Sequence, residues 1–377
     1  MGLMSGTSMD GIDAVVLEIE GTMMSVRAAL AREWPGPLQR RLRSAAEHAE
    51  STALAELGEL DTAVGLQLAL TAEQLLRSAG LRADAIRAIG SHGQTILHRP
   101  TGEHPFTLQI GDPNVIAERL GIDVVADFRR RDVAAGGEGA PLMPAFHAAA
   151  FGAAGEARAV VNIGGLANVT VLSGDGGVLG FDTGPGNCLL DAWARRHLGR
   201  SHDTDGQWAR SGQVQPALLA RLLGDPYFAR PAPKSTGRET FSDAWLEQAL
   251  AAEPASPSAA DVQATLAELT ARSIANALTG SSGAPLAHAF VCGGGAFNVD
   301  LMQRLARALP GTRWQSTAAC GIAPEHVEAA GFAWLAHRCV EGLAGNLPGV
   351  TGARHPVPLG ALYRGRAHET PERALRS

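Results

Sequence analysis

Two carboxylates stand where chemistry on a bound ligand is feasible. Asp182 directly follows the apolar run 178–181 and precedes a Thr-Gly-Pro-Gly turn and a predicted helix. A carboxylate at that place can accept a proton from a water or hydroxyl beside a phosphate, although a helix N-cap or turn aspartate is the ordinary alternative. Glu328 lies near the start of an otherwise apolar predicted helix, 324–339. Its ordinary role would be to complement the helix dipole.

A glycine-rich turn near the N-terminus is suited to holding phosphate. It consists of Gly6, Thr7, Ser8, Met9, Asp10, Gly11, Ile12 and Asp13. Glycine lets backbone N–H groups approach a ligand closely, and a turn of N–H groups and hydroxyls can cradle phosphate oxygens. Asp10 or Asp13 could then orient a hydrated magnesium ion. The alternative is a tight hairpin turn that binds nothing.

Two further glycine-rich turns follow predicted strands. The first lies between strands 158–162 and 168–172, and the second follows strand 287–291; their polar and glycine residues are Asn162, Gly164, Gly165, Asn168, Gly293, Gly294, Gly295 and Asn298. The first turn could clamp a triphosphate or be an ordinary hairpin. The second could bring N–H groups to an anion at a helix start. A dinucleotide-binding fold is disfavoured because no GxGxxG motif follows the first strand.

The elements that would position these residues alternate between strand and helix. Apolar spacing predicts helices at 35–49, 52–78, 114–120, 141–151, 188–198 and 261–279, and strands at 86–89, 106–110 and 123–127. Strand, polar loop and helix in this rhythm indicate an α/β fold. Both halves begin with a strand, a glycine-rich turn and a second strand, at 6–17 and 160–172. This repetition favours two related domains.

Composition narrows the function further. The chain has 377 residues, of which 45% are hydrophobic and 19% charged, with a net charge of −6. Nucleic-acid binding is therefore not expected, and the chain lacks an apolar run of about 18 residues that would indicate a membrane span. The four cysteines form no CxxC pair, which disfavours zinc. Reduced thiols fit a cytoplasmic location.

The motifs, taken in order along the chain, resemble one family. GTSMDGID (6–13), SHGQT (91–95), RRRD (129–132), NIGGLANVT (162–170), DTGPGN (182–187), CGGGAFN (292–298) and VEA (327–329) resemble segments of anhydro-N-acetylmuramic acid kinases, in the actin/Hsp70/sugar-kinase superfamily. The resemblance implies an α/β fold of two ribonuclease-H-like domains around a deep active-site cleft. We place the first domain at 1–130, with about 346–377 returning to it, and the second at 131–345. Family members usually carry a few more apolar residues at the N-terminus, so the first strand is expected to be shortened.

The resemblance also implies an activity. It predicts ATP-dependent cleavage of the anhydro ring of 1,6-anhydro-N-acetylmuramic acid and its phosphorylation to N-acetylmuramic acid 6-phosphate, a step of peptidoglycan recycling, by a cytoplasmic homodimer. The three glycine-rich turns are expected to bind ATP, with Mg²⁺ held near Asp10 through water. Asp182 and Glu328 are expected to be catalytic. Sugar contacts are expected from His92, Gln94, Thr95, Arg131, Asp182 and Glu328, although Arg129 or Arg130 could replace Arg131.

Lys234 is the only lysine among 32 basic residues. It lies in PAPKSTGRE (231–239), which resembles a family segment but is not a P-loop, because no GxxxxG precedes the lysine. We place Lys234 in the active-site cleft; the alternative is a solvated loop. Two rival functions remain open. An ordinary hexose or amino-sugar kinase would accept sugars without an anhydro ring, and a nucleotide-gated ATPase would hydrolyse ATP without sugar.

Overall fold

The computed structural model describes residues 1–365 except positions 7, 238 and 255. In these residues the strands are β1 (Gly2–Met4), β2 (Gly11–Glu20), β3 (Met23–Glu33), β4 (Ile89–Ser91), β5 (Gln94–Arg99), β6 (Phe106–Ile110), β7 (Val124–Ala126), β8 (Arg158–Ile163), β9 (Leu166–Leu172), β10 (Val178–Pro185), β11 (His288–Cys292), β12 (Arg313–Ser316) and β13 (Ala361–Tyr363).

Helices connect and cover these strands. They are α1 (Gly36–Glu47), α2 (Leu54–Ser78), α3 (Pro113–Leu120), α4 (Phe128–Ala134), α5 (Met143–Phe151), α6 (Cys188–Leu198), α7 (Gln207–Ser211), α8 (Pro216–Leu223), α9 (Pro226–Ala229), α10 (Asp243–Ala251), α11 (Ala259–Ser281), α12 (Val299–Ala308), α13 (Val327–Val340) and α14 (Pro348–Thr351).

The chain forms two compact units. Among the described residues, unit 1 comprises Met1–Phe146 together with 328–365, and unit 2 comprises His147–Val327. These limits differ from the predicted boundaries at 130/131 and 345/346. The reason is that the start of α5, up to Phe146, packs on α13 in unit 1, where the rings of Phe146 and Trp334 lie 6.0 Å apart. The chain does return to unit 1 near its end, because β13 pairs antiparallel with β7.

Both units are built on the same sheet topology. In unit 1 the strand order is β13-β7-β4-β1-β2-β3; β1 is parallel to β4 and β4 to β7, while β2 is antiparallel to both β1 and β3. In unit 2 the order is β10-β9-β8-β11-β12, with β8, β11 and β12 mutually parallel and β9 antiparallel to its neighbours. Apart from β13, each sheet follows the order 3-2-1-4-5 of the ribonuclease-H fold. This confirms the predicted fold class.

Apolar spacing explains how helices cover the first sheet. The predicted stripe of α2 is buried from Leu60 onward, with Leu60, Val64 and Leu68 each at 0% exposure, whereas Leu54 at the start of the helix is 78% exposed. On α13, Ala329 and Phe332 face β1 and β4, where Gly2 and Gly90 leave no room for a side chain against the helix backbone. Glycine is therefore required in both strands for the helix to approach the sheet closely.

Several local elements differ from the sequence prediction. The strand expected at 86–89 lies at Ile89–Ser91, and the RRRD run belongs to helix α4. A two-stranded sheet of β5 and β6 and the short helices α7–α10 were not predicted. In the part of the chain that is described, no helix has the length and apolar character needed to cross a membrane.

Candidate functional site

Asp182 lies beside two asparagines in the sheet of unit 2. Asn168 on β9 is directly opposite Asn162 on β8 on one side and Asp182 on β10 on the other. Directly opposed residues project from the same face of a sheet with Cβ atoms about 4.5–5.5 Å apart. The predicted catalytic carboxylate and two predicted phosphate-loop residues therefore form one polar row.

Asp182 is held from both sides by the segment that contains the only lysine. Its N–H donates to the carbonyl of Lys234 at 2.9 Å, and its carbonyl accepts from the Tyr227 hydroxyl at 2.7 Å. The N–H of Thr236 donates to Oδ2 of the Asp182 carboxylate at 3.0 Å. These contacts fix one carboxylate oxygen, Oδ2, and the residues with described positions place no hydrogen-bond donor on the other, Oδ1.

The surroundings of Asp182 make it more basic than an ordinary aspartate. Burial raises the pKa of its carboxyl, and the hydrogen bond from the Thr236 N–H partly offsets the rise. A raised pKa strengthens a carboxylate as a proton acceptor. The geometry and the electrostatics therefore suit a general base.

Lys234 anchors this segment by its side chain. The Nζ atom donates to the carbonyls of Tyr227 and Phe228, each at 3.1 Å, and lies 4.6 Å from the centre of the Tyr227 ring. Burial and the nearby Arg230 lower the pKa of Lys234. The ammonium is thus engaged by the backbone of its own segment, which favours a positioning role over the predicted place in the active-site cleft.

The other glycine-rich turns of unit 2 pack against the same region. The N–H groups of Gly186 and Cys188 donate to the Gly165 carbonyl, each at 2.9 Å, and that of Asn187 donates to the Gly164 carbonyl at 2.8 Å. A side chain at Gly293 would meet Asn162 Oδ1 at 2.5 Å. The three predicted segments 162–168, 182–187 and 293–298 are therefore in direct contact.

Two glycines in these turns are open to a ligand. The nearest atom to a Cβ built at Gly164 is the Leu166 carbonyl oxygen at 3.6 Å, and at Gly294 it is Asn187 Nδ2 at 3.7 Å. Positive φ occurs at Gly293, at 74°, where a side chain would be strained. Asn298 has a structural task, because its Oδ1 accepts from the Leu301 N–H at 3.0 Å as the N-cap of α12.

The first glycine-rich turn belongs to unit 1 and joins β1 to β2. Met9 lies in the left-handed region at a φ of 54°, and its N–H donates to the Gly6 carbonyl at 3.1 Å. A Cβ built at Gly6 would meet only Ser8 Oγ, at 3.8 Å. The turn is thus tightly bent with an accessible backbone. Ile12 is buried and packs in the core, while Thr7 lies outside the described residues.

Glu328 interacts electrostatically with Arg129, which in turn contacts the ring of His92. Burial raises the pKa of the Glu328 carboxyl, Arg129 lowers it and Asp13 raises it. Arg129 Nε and Nη2 lie 3.2 and 3.0 Å from His92 Nε2. Burial and Arg129 lower the pKa of His92 to about 3, so the ring is neutral and its Nε2 accepts the arginine protons. This arrangement can hold a cationic guanidinium beside an acid.

The remaining predicted sugar contacts are placed differently. Gln94 is completely buried; its Oε1 accepts from the Ser5 hydroxyl at 2.8 Å and its Nε2 donates to the Gly6 carbonyl at 3.4 Å. Burial favours a role in holding the first turn over contact with sugar. Thr95 Oγ1 accepts from Gln109 Nε2 at 3.3 Å. Arg131 is exposed, so among the three arginines the geometry favours Arg129.

The residues present fit a hydrated magnesium ion. Asp10 is an exposed carboxylate 3.5 Å from Arg43 Nη2. Among the residues with described positions, no three His, Cys, Asp or Glu side chains are arranged to hold a metal ion. Magnesium commonly takes one or two carboxylates together with water and substrate phosphates. Asp10 meets that requirement as an outer ligand.

Sequence reasoning missed the residues that hold the predicted ones. Tyr227 and Thr236 contact Asp182; Tyr227 lies in no predicted motif, and Thr236 lies in the PAPKSTGRE segment but was assigned no role. The signal that could have indicated them was the isolated Lys234, which marks their segment. Arg129 was predicted only as an alternative to Arg131 for the sugar contact. The sequence does not distinguish the three adjacent arginines, because they differ only in the face of helix α4 on which each one lies.

Two ribonuclease-H-like units with glycine-rich turns after their first strands are typical of the actin/Hsp70/sugar-kinase superfamily. Comparison of the sequence gives the family: the anhydro-N-acetylmuramic acid kinase model matches residues 1–365. The chain belongs to the anhydro-N-acetylmuramic acid kinase family, which confirms the resemblance read from its motifs.

Individual relatives agree with that assignment. An anhydro-N-acetylmuramic acid kinase from Xanthomonas campestris pv. campestris (strain 8004) is 52% identical over 366 residues, covering 96% of each chain. One from Shewanella oneidensis is 50% identical over 364 residues, covering 96% of this chain and 98% of its own. A ROK hexokinase structure from Thermus thermophilus matches 85% of this chain and 97% of its own at 16% identity with a TM-score of 0.33. That value is too low to support any argument.

Proposed function

We propose that this protein uses ATP to open the anhydro ring of 1,6-anhydro-N-acetylmuramic acid and to phosphorylate O6, giving N-acetylmuramic acid 6-phosphate. The family assignment supports the substrate. The observation in the structure that most supports the chemistry is Asp182, a carboxylate of raised pKa with one fixed oxygen, in register with Asn168 and Asn162. It combines a proton acceptor with a phosphate-type turn.

The anhydro ring determines the order of bond changes. O6 is bonded to the anomeric carbon and carries no proton, so it cannot attack phosphorus until that bond breaks. Asp182 takes a proton from a water molecule, whose oxygen bonds to the anomeric carbon. The bond between the anomeric carbon and O6 breaks, and its electron pair goes to O6. O6 then bonds to the γ-phosphorus as the bond to the β,γ-bridging oxygen breaks, leaving ADP.

The residues of unit 1 would orient the sugar. Burial lowers the pKa of the Arg129 guanidinium to about 10, and the nearby Glu328 carboxyl partly offsets this decrease. The guanidinium therefore remains protonated at neutral pH and can attract an anionic substituent, such as the carboxylate of a lactyl group. Glu328 can accept a hydrogen bond from a sugar hydroxyl. We assign Arg129 and Glu328 to this role and His92 to holding Arg129.

The glycine-rich turns would bind the nucleotide. The open backbone at Gly6, Gly164 and Gly294 can donate N–H groups to phosphate oxygens. Asp10 would hold Mg²⁺ through water, and when bound the ion would neutralise charge on the transferred phosphoryl group. We further propose that the enzyme acts in the cytoplasm as a homodimer, as the family resemblance implies.

The decisive experiment is a direct assay of the product. The full chain is incubated with ATP, Mg²⁺ and 1,6-anhydro-N-acetylmuramic acid in ¹⁸O-water, and the product is analysed by mass spectrometry and ³¹P NMR. We expect the 6-phosphate with one ¹⁸O on the anomeric oxygen and none on O6. Label on O6 would contradict attack at the anomeric carbon.

A substrate panel separates the proposed function from its rivals. N-acetylmuramic acid, N-acetylglucosamine and glucose carry a free O6 hydroxyl, so an ordinary sugar kinase would phosphorylate at least one of them better than the anhydro sugar. ATP hydrolysis measured without sugar tests the nucleotide-gated alternative. Phosphorylation of a free hexose in preference to the anhydro sugar, or ATP hydrolysis unaffected by sugar, would refute the proposal.

A further inference from the structure

A buried aspartate of unit 1 has no role in the steps above. Asp132 is 0% exposed, yet its carboxylate accepts three hydrogen bonds. Gly139 donates its N–H to Oδ2 at 2.8 Å, and both Asn346 Nδ2, at 2.7 Å, and the Thr351 hydroxyl, at 2.8 Å, donate to Oδ1. A buried carboxylate with hydrogen bonds to both oxygens constrains the positions of its donors.

One of those donors leads directly to Arg129. The Gly139 N–H is bound to Asp132, and the Gly139 carbonyl accepts from Arg129 Nη1 at 2.9 Å. Gly139 has a φ of 67°, and a Cβ there would lie 2.9 Å from Val133 Cγ2 and 3.1 Å from the Arg129 carbonyl oxygen. A single peptide segment of constrained conformation therefore connects the carboxylate to the guanidinium.

The chain near the C-terminus closes the other side of this arrangement. Asn346 is oriented by the Val357 N–H, which donates to its Oδ1 at 2.8 Å. The Glu138 N–H donates to the Thr351 carbonyl at 2.7 Å. The loop that carries Gly139 is thus tied to residues 346–357, which lie more than two hundred positions further along the sequence.

We infer that Asp132 is a positioning residue for sugar binding. It acts through Gly139 to fix the Arg129 guanidinium beside His92 and Glu328. The inference rests on the proposed function for its kinetic consequence. Arg129 is held at Nη1 by Gly139 and at Nε and Nη2 by His92. Once the Gly139 contact is lost, the hydrogen bonds of Arg129 that remain among the described residues are those to a neutral imidazole, about which the guanidinium can tilt.

The substitution Asp132→Asn tests this inference sharply. All three partners of the carboxylate are donors in the structure, and the Asn346 amide cannot reverse without losing the Val357 N–H. Every orientation of an asparagine amide would therefore direct its Nδ2 toward a donor. We expect KM for the anhydro sugar to rise about 10–100-fold, since misplacement of a positioning group by about 1 Å has effects of this size, while KM for ATP stays within about twofold.

Matched variants separate positioning from folding. Thr351→Val removes one donor to Asp132 without changing side-chain shape, and Thr351→Ser restores it, so we expect an intermediate sugar KM for the first and a value near wild type for the second. Asp203→Asn is the control: Asp203 is another buried carboxylate, accepting from the Trp208 and Ala209 N–H groups of unit 2, each at 2.9 Å. It should lower thermal stability without changing the sugar KM.

A second readout does not depend on turnover. The ¹⁵N NMR signal of Arg129 Nε–H, identified by its absence in Arg129→Gln, should shift or broaden in Asp132→Asn and Thr351→Val but not in Thr351→Ser or Asp203→Asn. An unmoved Arg129 signal in folded Asp132→Asn would overturn the inference, whether or not the enzyme acts on the sugar. Wild type that fails to phosphorylate the sugar would overturn the proposed function instead, and the NMR comparison would still decide the role of Asp132.

Discussion

The substitution Asp182→Asn should lower turnover strongly while leaving the stability of the folded protein unchanged or raising it. An asparagine Oδ1 can still accept the Thr236 N–H, and both backbone contacts of residue 182 to Lys234 and Tyr227 are independent of its side chain. The position of the side chain is therefore retained and only its basicity is lost. Loss of a general base costs about 10²–10⁴-fold in rate, which corresponds to about 2.7–5.4 kcal/mol in activation free energy.

The same substitution should leave stability unchanged or raise it. Because burial raises the folded-state pKa of Asp182 above its unfolded value, ionisation of this group disfavours the folded state. Its contribution to the free energy of unfolding is fully present below the unfolded pKa, about 3.9, and is lost as pH rises through the folded pKa. Above the folded-state pKa the charged side chain therefore destabilises the protein, and a neutral amide removes that cost.

The assay measures both quantities on one preparation. Release of ADP in the presence of the anhydro sugar gives turnover, nucleotide titration gives the Kd for ATP, and thermal unfolding at pH 7 gives Tm. We expect turnover to fall at least 10²-fold with unchanged Kd and a Tm equal to or above that of wild type. In wild type, kcat should decline on the acid side as Asp182 is protonated, beginning at a higher pH than an ordinary aspartate would give. Turnover within tenfold of wild type, or a fall of several degrees in Tm, would refute the reasoning.

Further substitutions test the remaining assignments. Gly294→Val should weaken ATP binding about tenfold or more with little change in Tm, because the space around Gly294 is open and its φ is ordinary. Gly293→Val should instead lower Tm, because φ at Gly293 is 74°. Equal ATP affinity in folded Gly294→Val would show that this turn is not part of the nucleotide site. Glu328→Gln should lower turnover of the anhydro sugar at least tenfold while ATP affinity persists, and an effect on Tm alone would return Glu328 to a dipole-complementing role costing about 0.3–1 kcal/mol. Lys234→Met removes two hydrogen bonds from an ammonium group and should lower both Tm and turnover, with unchanged turnover showing that Asp182 does not need the anchor.

Motifs at strand ends were predictable because local chemistry determines them. A strand followed by glycines and a small polar residue can be recognised within ten positions, and the turns at Gly164 and Gly294 follow strands as predicted. Asp182 differs from the prediction: it does not end its strand, because β10 continues through the expected turn to Pro185 and pairs with β9 there. The long helix α2 was equally accessible, since its buried leucines recur at helical spacing along 25 residues.

Other features depend on register and on distant chain segments. That Asn162, Asn168 and Asp182 form one row follows from strand pairing, and a shift of one residue would send a side chain to the other face. Helices α7–α10 were missed because windows of four to nine residues carry too little periodicity. The burial of Gln94 depends on contacts with Ser5, 89 positions away.

Asp182, assigned as the general base, and Arg129, assigned to orienting the sugar, are held by comparable means. In unit 2, Lys234 anchors a loop by two backbone carbonyls, and that loop donates the Thr236 N–H to Asp182. In unit 1, Asp132 anchors a loop by the Gly139 N–H, and that loop offers the Gly139 carbonyl to Arg129. Each of these side chains therefore has a backbone partner that is held in place by an anchor it does not itself contact. Arg129 also contacts His92, whose ring is neutral because burial lowers its pKa to about 3. Substituting Lys234 or Asp132 should consequently alter the geometry of Asp182 or Arg129, respectively. The backbone groups that contact Asp182 and Arg129 stay chemically unchanged in these variants. Lys234 and Asp132 are therefore the positions at which positioning can be tested apart from reactivity.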